Sequence, residues 1–515
     1  MQASQAAAKR IVRALRNAAG TVRTEGTSFA RRLQRWWRDS SPFARHLVIN
    51  LGIGVCLTLV LETHAIQDNV TIEAARAGVI STQMNLMLRL ERGIHGAAGV
   101  HKSHLVWINI DEAAYHAWGV PLMTRRDKLR DLIAYAVRGK PRAVIVDIDV
   151  TGANATTAAY RRYDAVLRDY LGAYPRTCSK PCPTIILTRS FESSPAYAYA
   201  GYAGAAKRVV PSFLDRSIGT SPLESWRKGD PILWATVEAD SESDQVIRRW
   251  RLWEAACNAP GPSAVLPSAP LLAVALLRAP PASARESVLS RVQRALEPHA
   301  ATCVKQPASV QTNHVPATSF LDIGFPLELT EDSLQRLIVY NYEWAQPGTT
   351  APLRTLDDVL DAGAIANNPS ADPTYLLEGQ IVVIGSSFQD GGDLHATPVG
   401  VMPGSLILIN EMYSLLNDQE LKPNWTLTLL AELASIVIIS WLFTALTPSA
   451  ATIASFVIVF ALGQVLALVV FRSGIWVDCV VPLVGVMLHE LIAQTHHHAL
   501  HITSRIATTI KSRFS

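Results

Sequence analysis

Asp111, Asp147 and Asp149 each stand at the C-terminal end of an apolar run that reads as a strand, and Asp393 and His395 follow another such run. In an open parallel sheet that edge is where ligands bind. Carboxylates gathered there can hold a cation, or a cationic or hydroxyl-bearing ligand. Aspartates at strand ends also cap helices and tie loops, so both roles stay open for these residues. Enzymatic chemistry is not expected. Gly385-Ser386-Ser387 does not complete a G-x-S-x-G elbow, and no Walker loop or zinc-binding spacing accompanies the carboxylates. No cofactor and no metal is expected either.

Further polar residues lie in apolar surroundings. Glu432, His489 and Glu490 fall within long apolar runs, where an ionised side chain is costly unless it faces partners or water. His497 and His501 have helical i, i+4 spacing, but the His-Glu-x-x-His motif is absent. Cys178, Cys182, Cys257 and Cys303 form an even set for which three pairings exist. Cys178 and Cys182 could close a small loop, and Cys257 and Cys303 could staple an insertion. Cys56 and Cys479 sit in apolar runs and read as packing residues.

The elements that must position these residues alternate between strand and helix. A helix is expected over 70–91, a strand over 105–110, a helix over 125–138 and a strand over 142–149. The last of these is continuously apolar, the pattern of a strand buried on both faces. A helix over 160–171 and a strand over 184–188 follow. Residues 232–237 and 245–252 read as an antiparallel pair around a polar turn. The stretch 258–320 reads as helix plus irregular insertion, with no clear strand before Phe320. A strand over 337–342, a helix over 355–362 and a strand over 380–384 complete the series. The order argues for an α/β domain with a largely parallel sheet.

Long apolar runs flank this domain. A bilayer-spanning helix needs roughly 20 apolar residues, and four transmembrane α-helices are expected at 46–62, 425–446, 451–471 and 475–495. Residues 1–45 carry ten lysines and arginines against Glu25 and Asp39, so they read as a basic cytoplasmic segment. The tail 496–515 would then be cytoplasmic and the domain 63–424 periplasmic, in a multi-pass protein of a bacterial inner membrane. The basic segment, with Trp36 and Trp37, suits anionic membrane lipids as a partner. That segment carries +8 against +4 for the whole chain, so the rest is near neutral, which argues against a nucleic-acid partner.

The motifs then converge on one family. Leu377-Glu378-Gly379-Gln380 leading through Ile381–Ile384 into Gly385-Ser386-Ser387 resembles the small-residue turn of the CHASE2 family of extracellular sensory domains. Asp393-Leu394-His395-Ala396-Thr397-Pro398 resembles its D-x-H-x-T-P motif, and Met402-Pro403-Gly404 with Asn410 its P-G and helix-start signals. Ile110-Asp111-Glu112 and Val146-Asp147-Ile148 resemble its two aspartate-ended strands. Arg248-Arg249 and Asn341-Tyr342 fall where the family has R-R and N-Y pairs. The chain departs in having Trp118-Gly119-Val120-Pro121 where members show W-P-W-P-R, and apolar residues over Leu406–Ile409.

The resemblance implies a sensory protein whose periplasmic domain binds a small molecule or a periplasmic protein. The change would be relayed to a separate cytoplasmic or membrane signalling partner, since no transmitter domain is expected after the last apolar run. A homodimer is also implied. The competing expectation is a non-catalytic scaffold in an envelope export or surface-polymer complex.

Overall fold

The computed structural model describes residues 104–121, 123–151, 158–194, 196–199, 206–215, 231–241, 244–279 and 285–305. It also describes 318–323, 326–330, 335–344, 356, 358–416, 422–423, 425–447 and 475–476, with parts of 38–52, 78–89 and 449–461. The chain divides into two compact units. One comprises Val70–Pro423 with Ala467–Trp476; the other comprises Met1–Asn69, Asn424–Leu466 and Val477–Ser515.

The first unit is built on six parallel strands: β1 Leu105–Ile110, β2 Ala143–Val146, β3 Thr184–Arg189, β4 Ile232–Thr236, β5 Val359–Asp361 and β6 Ile381–Ser386. Their order across the sheet is β5-β1-β6-β2-β3-β4. Every pairing is parallel. The continuous apolar runs of β2 and β6 are buried along their whole length because helices cover both faces.

One face carries α1 Glu112–Ala117, α2 Arg126–Arg138, α3 Ala158–Thr177 and α6 Ala362–Asn367. On α2 the stripe Leu129, Leu132, Ile133 and Ala136 is buried, as the helical spacing predicts. The opposite face carries α4 Ala269–Arg278, α5 Arg285–Leu296 and α8 Gly404–Leu416. A four-residue helix, α7 Thr374–Leu377, leads into β6. Between β6 and α8 runs a hairpin of β7 Leu394–Thr397 and β8 Gly400–Pro403. Helical residues at 81–82 and 84–86 belong to the same unit, with Met84 fully buried.

The parallel sheet agrees with the expected α/β domain, but several elements differ. Ile232–Thr236 does not form a hairpin with 245–252; it is the outer strand β4, paired with β3. All five of its residues are buried, which a parallel sheet requires and a half-exposed hairpin does not. The strand Ile247–Arg251 pairs instead with Ala239–Ser241 and Gln335–Leu337. The stretch 355–362 holds the edge strand β5 rather than a helix, with Val359 opposite Trp107. The region 258–320 has regular structure: Ala264–Pro267 pairs with Trp253–Ala256, and Thr302–Lys305 with Tyr197–Tyr199.

The expectation of four transmembrane helices is corrected. Among the described residues no helix is long and apolar enough to cross a membrane. The segment 425–446 is helical over α9 Trp425–Ala445. Its sequence, however, is interrupted by Thr426, Thr428, Glu432, Ser435, Ser440 and Thr444. In this second unit Ile439 and Leu442 are buried, whereas Leu430, Val437 and Trp441 are exposed. Most of 46–62, 451–471 and 475–495 lies outside the described residues, as do the segment 1–37, His489, Glu490, His497, His501, Cys56 and Cys479.

Two disulfides close, Cys178–Cys182 with Cα atoms 5.4 Å apart and Cys257–Cys303 with Cα atoms 5.7 Å apart. They are the small-loop and the insertion-stapling pairs among the three possible pairings. The first spans a sequence separation of 4 and the second of 46. Cross-linking a longer loop removes more entropy from the unfolded chain. Removing Cys257–Cys303 as a double alanine variant is therefore expected to cost about 2 kcal/mol more than removing Cys178–Cys182. Urea denaturation of the two variants beside the parent checks this; equal losses would contradict it.

Candidate functional site

The helices that follow β1 and β2 lie on one face of the sheet, whereas α8, the helix that follows β6 between them, lies on the other. In open sheets, that divergence marks the C-terminal edge as the place where a ligand crevice forms. Two glycines let the backbone close around it. A Cβ on Gly385 would fall 2.2 Å from Ser405 Cβ, so only glycine lets β6 meet the start of α8. A Cβ on Gly404 would fall within 2.4 Å of Asp393 Oδ1. Asp393 is further fixed by the Gly404 N–H, which donates to its carbonyl oxygen at 2.9 Å.

Asp147 follows β2, and its N–H donates to Ile384 O at 2.9 Å. Alternation along the strand puts it on the face of Ala143 and Ile145, which is the α8 side. Glu411 lies on α8 two turns beyond Gly404, and helical side chains lean toward the N-terminus, here toward the crevice. Burial, reinforced by Asp393, pushes the Asp147 carboxyl up to about 8. Burial, reinforced by Asp147, holds the Glu411 carboxyl well above the usual carboxylate range. His395 Nε2 lies 3.1 Å from Asp393 Oδ1. Among the described residues no lysine or arginine pairs with Asp147, Asp393 or Glu411. Ser405, fully buried beside Gly385, has an Oγ without a hydrogen-bond partner among the described residues.

Asp147, Asp393 and His395 are thus brought together, as the strand-end pattern anticipates, and Glu411 joins them. Asp111 and Asp149 are not. Asp111 caps α1 by accepting from Ala114 N at 2.8 Å. Asp149 accepts from Thr151 N at 2.8 Å and from Thr151 Oγ1 at 2.6 Å, tying its own loop. Beside α1, the loop after β6 is clipped down: Tyr115 and Phe388 stack with centroids 4.2 Å apart, and Gln389 N donates to Glu112 at 3.1 Å. Glu432 lies on α9. Among the described residues no group of three or more metal-ligating side chains gathers closely enough to hold a metal ion.

The remaining motif residues serve the frame. Arg248 is buried and bonds Asp244 at 2.9 and 2.6 Å and Ser81 Oγ at 2.6 Å. Asn410 is not a helix-start residue, because α8 begins at Gly404. It accepts from Asn341 N at 2.7 Å and Tyr342 N at 2.8 Å, so the N-Y pair is pinned to α8. Thr397 Oγ1 donates to Gly400 O at 2.5 Å across the hairpin, and Pro398 O accepts from Asn85 at 3.0 Å.

This arrangement sets Asp147 at the end of β2 and Asp393 of the D-x-H-x-T-P hairpin beside α8, to which the N-Y pair is pinned. The family model for the CHASE2 domain matches residues 59–447, well over half of the chain. The chain belongs to the CHASE2 family. CHASE2 domains are extracellular sensory domains, and a sensory role outside the cytoplasm follows for this one. Both disulfides suit an oxidising compartment. No curated protein and no solved structure matches this CHASE2 chain. Glu411 is not evident in the sequence because it is the one charged residue of the largely apolar helix Gly404–Leu416. The signal that could have found it is its seven-residue spacing from Gly404, which places both on one helical face.

Proposed function

We propose that this CHASE2 domain is a non-catalytic receptor module that binds a small cationic ligand in the crevice of Asp147, Asp393, His395 and Glu411. The observation that carries the reading is a set of three carboxyl groups, one of them buried, without a lysine or arginine partner among the described residues. Carboxylates withdrawn from water are costly unless paired, so Asp147 and Glu411 favour their protonated forms. A protonated amine supplies the missing charge and the N–H donors at once. Asp147 is only part-buried, which leaves a way in.

Relay starts at α8. Glu411 on this helix responds to the ligand, while the adjacent Asn410 holds the segment at 341–342. Occupancy of the crevice therefore biases the packing of that segment, and a separate signalling partner reads the change.

Calorimetric titration of the full-length protein with methylammonium and putrescine, against sodium chloride at equal ionic strength, tests the reading. An amine is expected to bind saturably, and Asp147→Asn is expected to weaken it by about tenfold or more. An amine that produces no heat beyond the salt control, or that binds the variant equally well, would refute it.

A further inference from the structure

The opposite edge of the sheet, where the strands begin, holds a second cleft of about 450 Å³. Its walls come from three turns that the fold locks together. The α2 helix ends at Gly139, where a Cβ would fall 2.5 Å from Leu377 Cβ, so the helix end is pressed against α7. Lys140 then adopts a left-handed conformation with φ of 53°. Its carbonyl accepts from Gly379 N at 3.1 Å, and Arg142 N donates to Gln380 O at 2.7 Å. These bonds hold the Lys140–Arg142 turn against the Glu378–Gly379 turn. The disulfide loop Cys178–Cys182 brings Lys180 to the third side, and Leu276 and Ala279 at the end of α4 supply a buried apolar wall.

Three cationic side chains therefore surround this cleft against one carboxylate, Glu378. Among the described residues none of Lys140, Arg142 and Lys180 makes an ion pair. Asp372, outside the cleft, lies close enough to Lys140 for that charge to help hold its carboxyl low, after the stronger effect of its bonds to Thr374. The volume falls within the usual range of about 300–1,000 Å³ for small-molecule sites.

We propose that this cleft binds a small organic anion, with its carboxylate, sulfonate or phosphate head between Lys140, Arg142 and Lys180 and its apolar body against Leu276 and Ala279. The site is separate from the carboxylate crevice and of opposite charge. Its ligand is distinct from the cation proposed there.

The probe is naphthalene-1-sulfonate, titrated into the full-length protein by calorimetry, with naphthalene-1-methanol as its neutral counterpart. The sulfonate is expected to bind saturably and the alcohol about tenfold more weakly or less. Lys180→Gln and Arg142→Gln are each expected to weaken the sulfonate several-fold, on the order of 5-fold, and Glu378→Gln to tighten it. Lys180 and Glu378 are exposed, so these two variants carry the test even where Arg142→Gln perturbs folding. Asp147→Asn should leave sulfonate binding unchanged, which separates this proposal from the amine site. No sulfonate binding, equal binding of the alcohol, or indifference to Lys180→Gln and Glu378→Gln would overturn it.

Discussion

Replacing Asn410 by leucine is expected to cost the domain about 3–5 kcal/mol, because its side-chain amide hydrogen-bonds four buried backbone groups at once. Its Oδ1 accepts from Asn341 N and Tyr342 N, and its Nδ2 donates to Tyr342 O at 3.2 Å and Leu406 O at 2.9 Å. Residues 338–342 lie beyond the end of the Gln335–Leu337 strand, so no ladder replaces these bonds. Leucine keeps the volume and removes an acceptor shared by two buried N–H groups, at about 1–3 kcal/mol for each bond lost. The neighbouring Ser414 accepts from only one backbone N–H, that of Val339 at 2.9 Å, and donates to Asn410 O at 2.8 Å. Ser414→Ala is accordingly expected to cost less, about 1–2 kcal/mol. Urea denaturation of the full-length variants checks both. A loss below about 1 kcal/mol for Asn410→Leu would show that the pinned segment is not part of the cooperative core.

The second large effect is a fall in stability with rising pH. Asp147 is held up at about 8 in the folded protein, against an ordinary value of 3.8. Between those two values the folded state binds more protons than the unfolded state. Stability is then fully present below about pH 4 and is lost as pH rises toward 8. Glu411 is shifted in the same direction and adds to the loss. The expected decline amounts to roughly 3–5 kcal/mol between pH 4 and pH 8. Asp244 and Asp372, whose carboxyls are held low, act in the opposite sense but below the ordinary carboxylate range, outside this window. Asp147→Asn should flatten the profile and stabilise the protein at pH 8. A stability that rises from pH 5 to pH 8 would contradict the assignment of a carboxyl cluster without a compensating cation.

Much of the sheet is legible in the sequence because strands buried on both faces leave continuous apolar runs, as at Ala143–Val146 and Ile381–Ser386. Ile232–Thr236 is such a run too. Yet the polar turn after it imitates a hairpin, and local pattern cannot tell which strand will pair with it. Val359–Asp361 is too short to show a period, and only its pairing with β1 makes it a strand. The expected membrane helices rested on the length of apolar runs, and among the described residues none of these runs forms a helix long and apolar enough to span a bilayer.

The site is legible by halves. Strand-end aspartates mark the right edge of the sheet, but capping and ligand binding demand the same residue in the same place. Asp111 and Asp149 satisfy local N–H groups, whereas Asp147 faces Asp393 and Glu411 across the crevice. That difference depends on strand parity and on the approach of α8, which Gly385 and Gly404 permit. Neither glycine declares this role in the sequence, since each needs its distant neighbour to explain it.

The central claim is that the crevice accepts a cation by exchanging it for protons on the part-buried Asp147 and the buried Glu411. Amine titrations at pH 7 in two buffers of different ionisation enthalpy measure that exchange directly. The account predicts release of about one proton per amine bound, falling toward zero in Asp147→Asn as that exchangeable group is removed. Saturable binding with no proton release, or release that Asp147→Asn leaves unchanged, would contradict it.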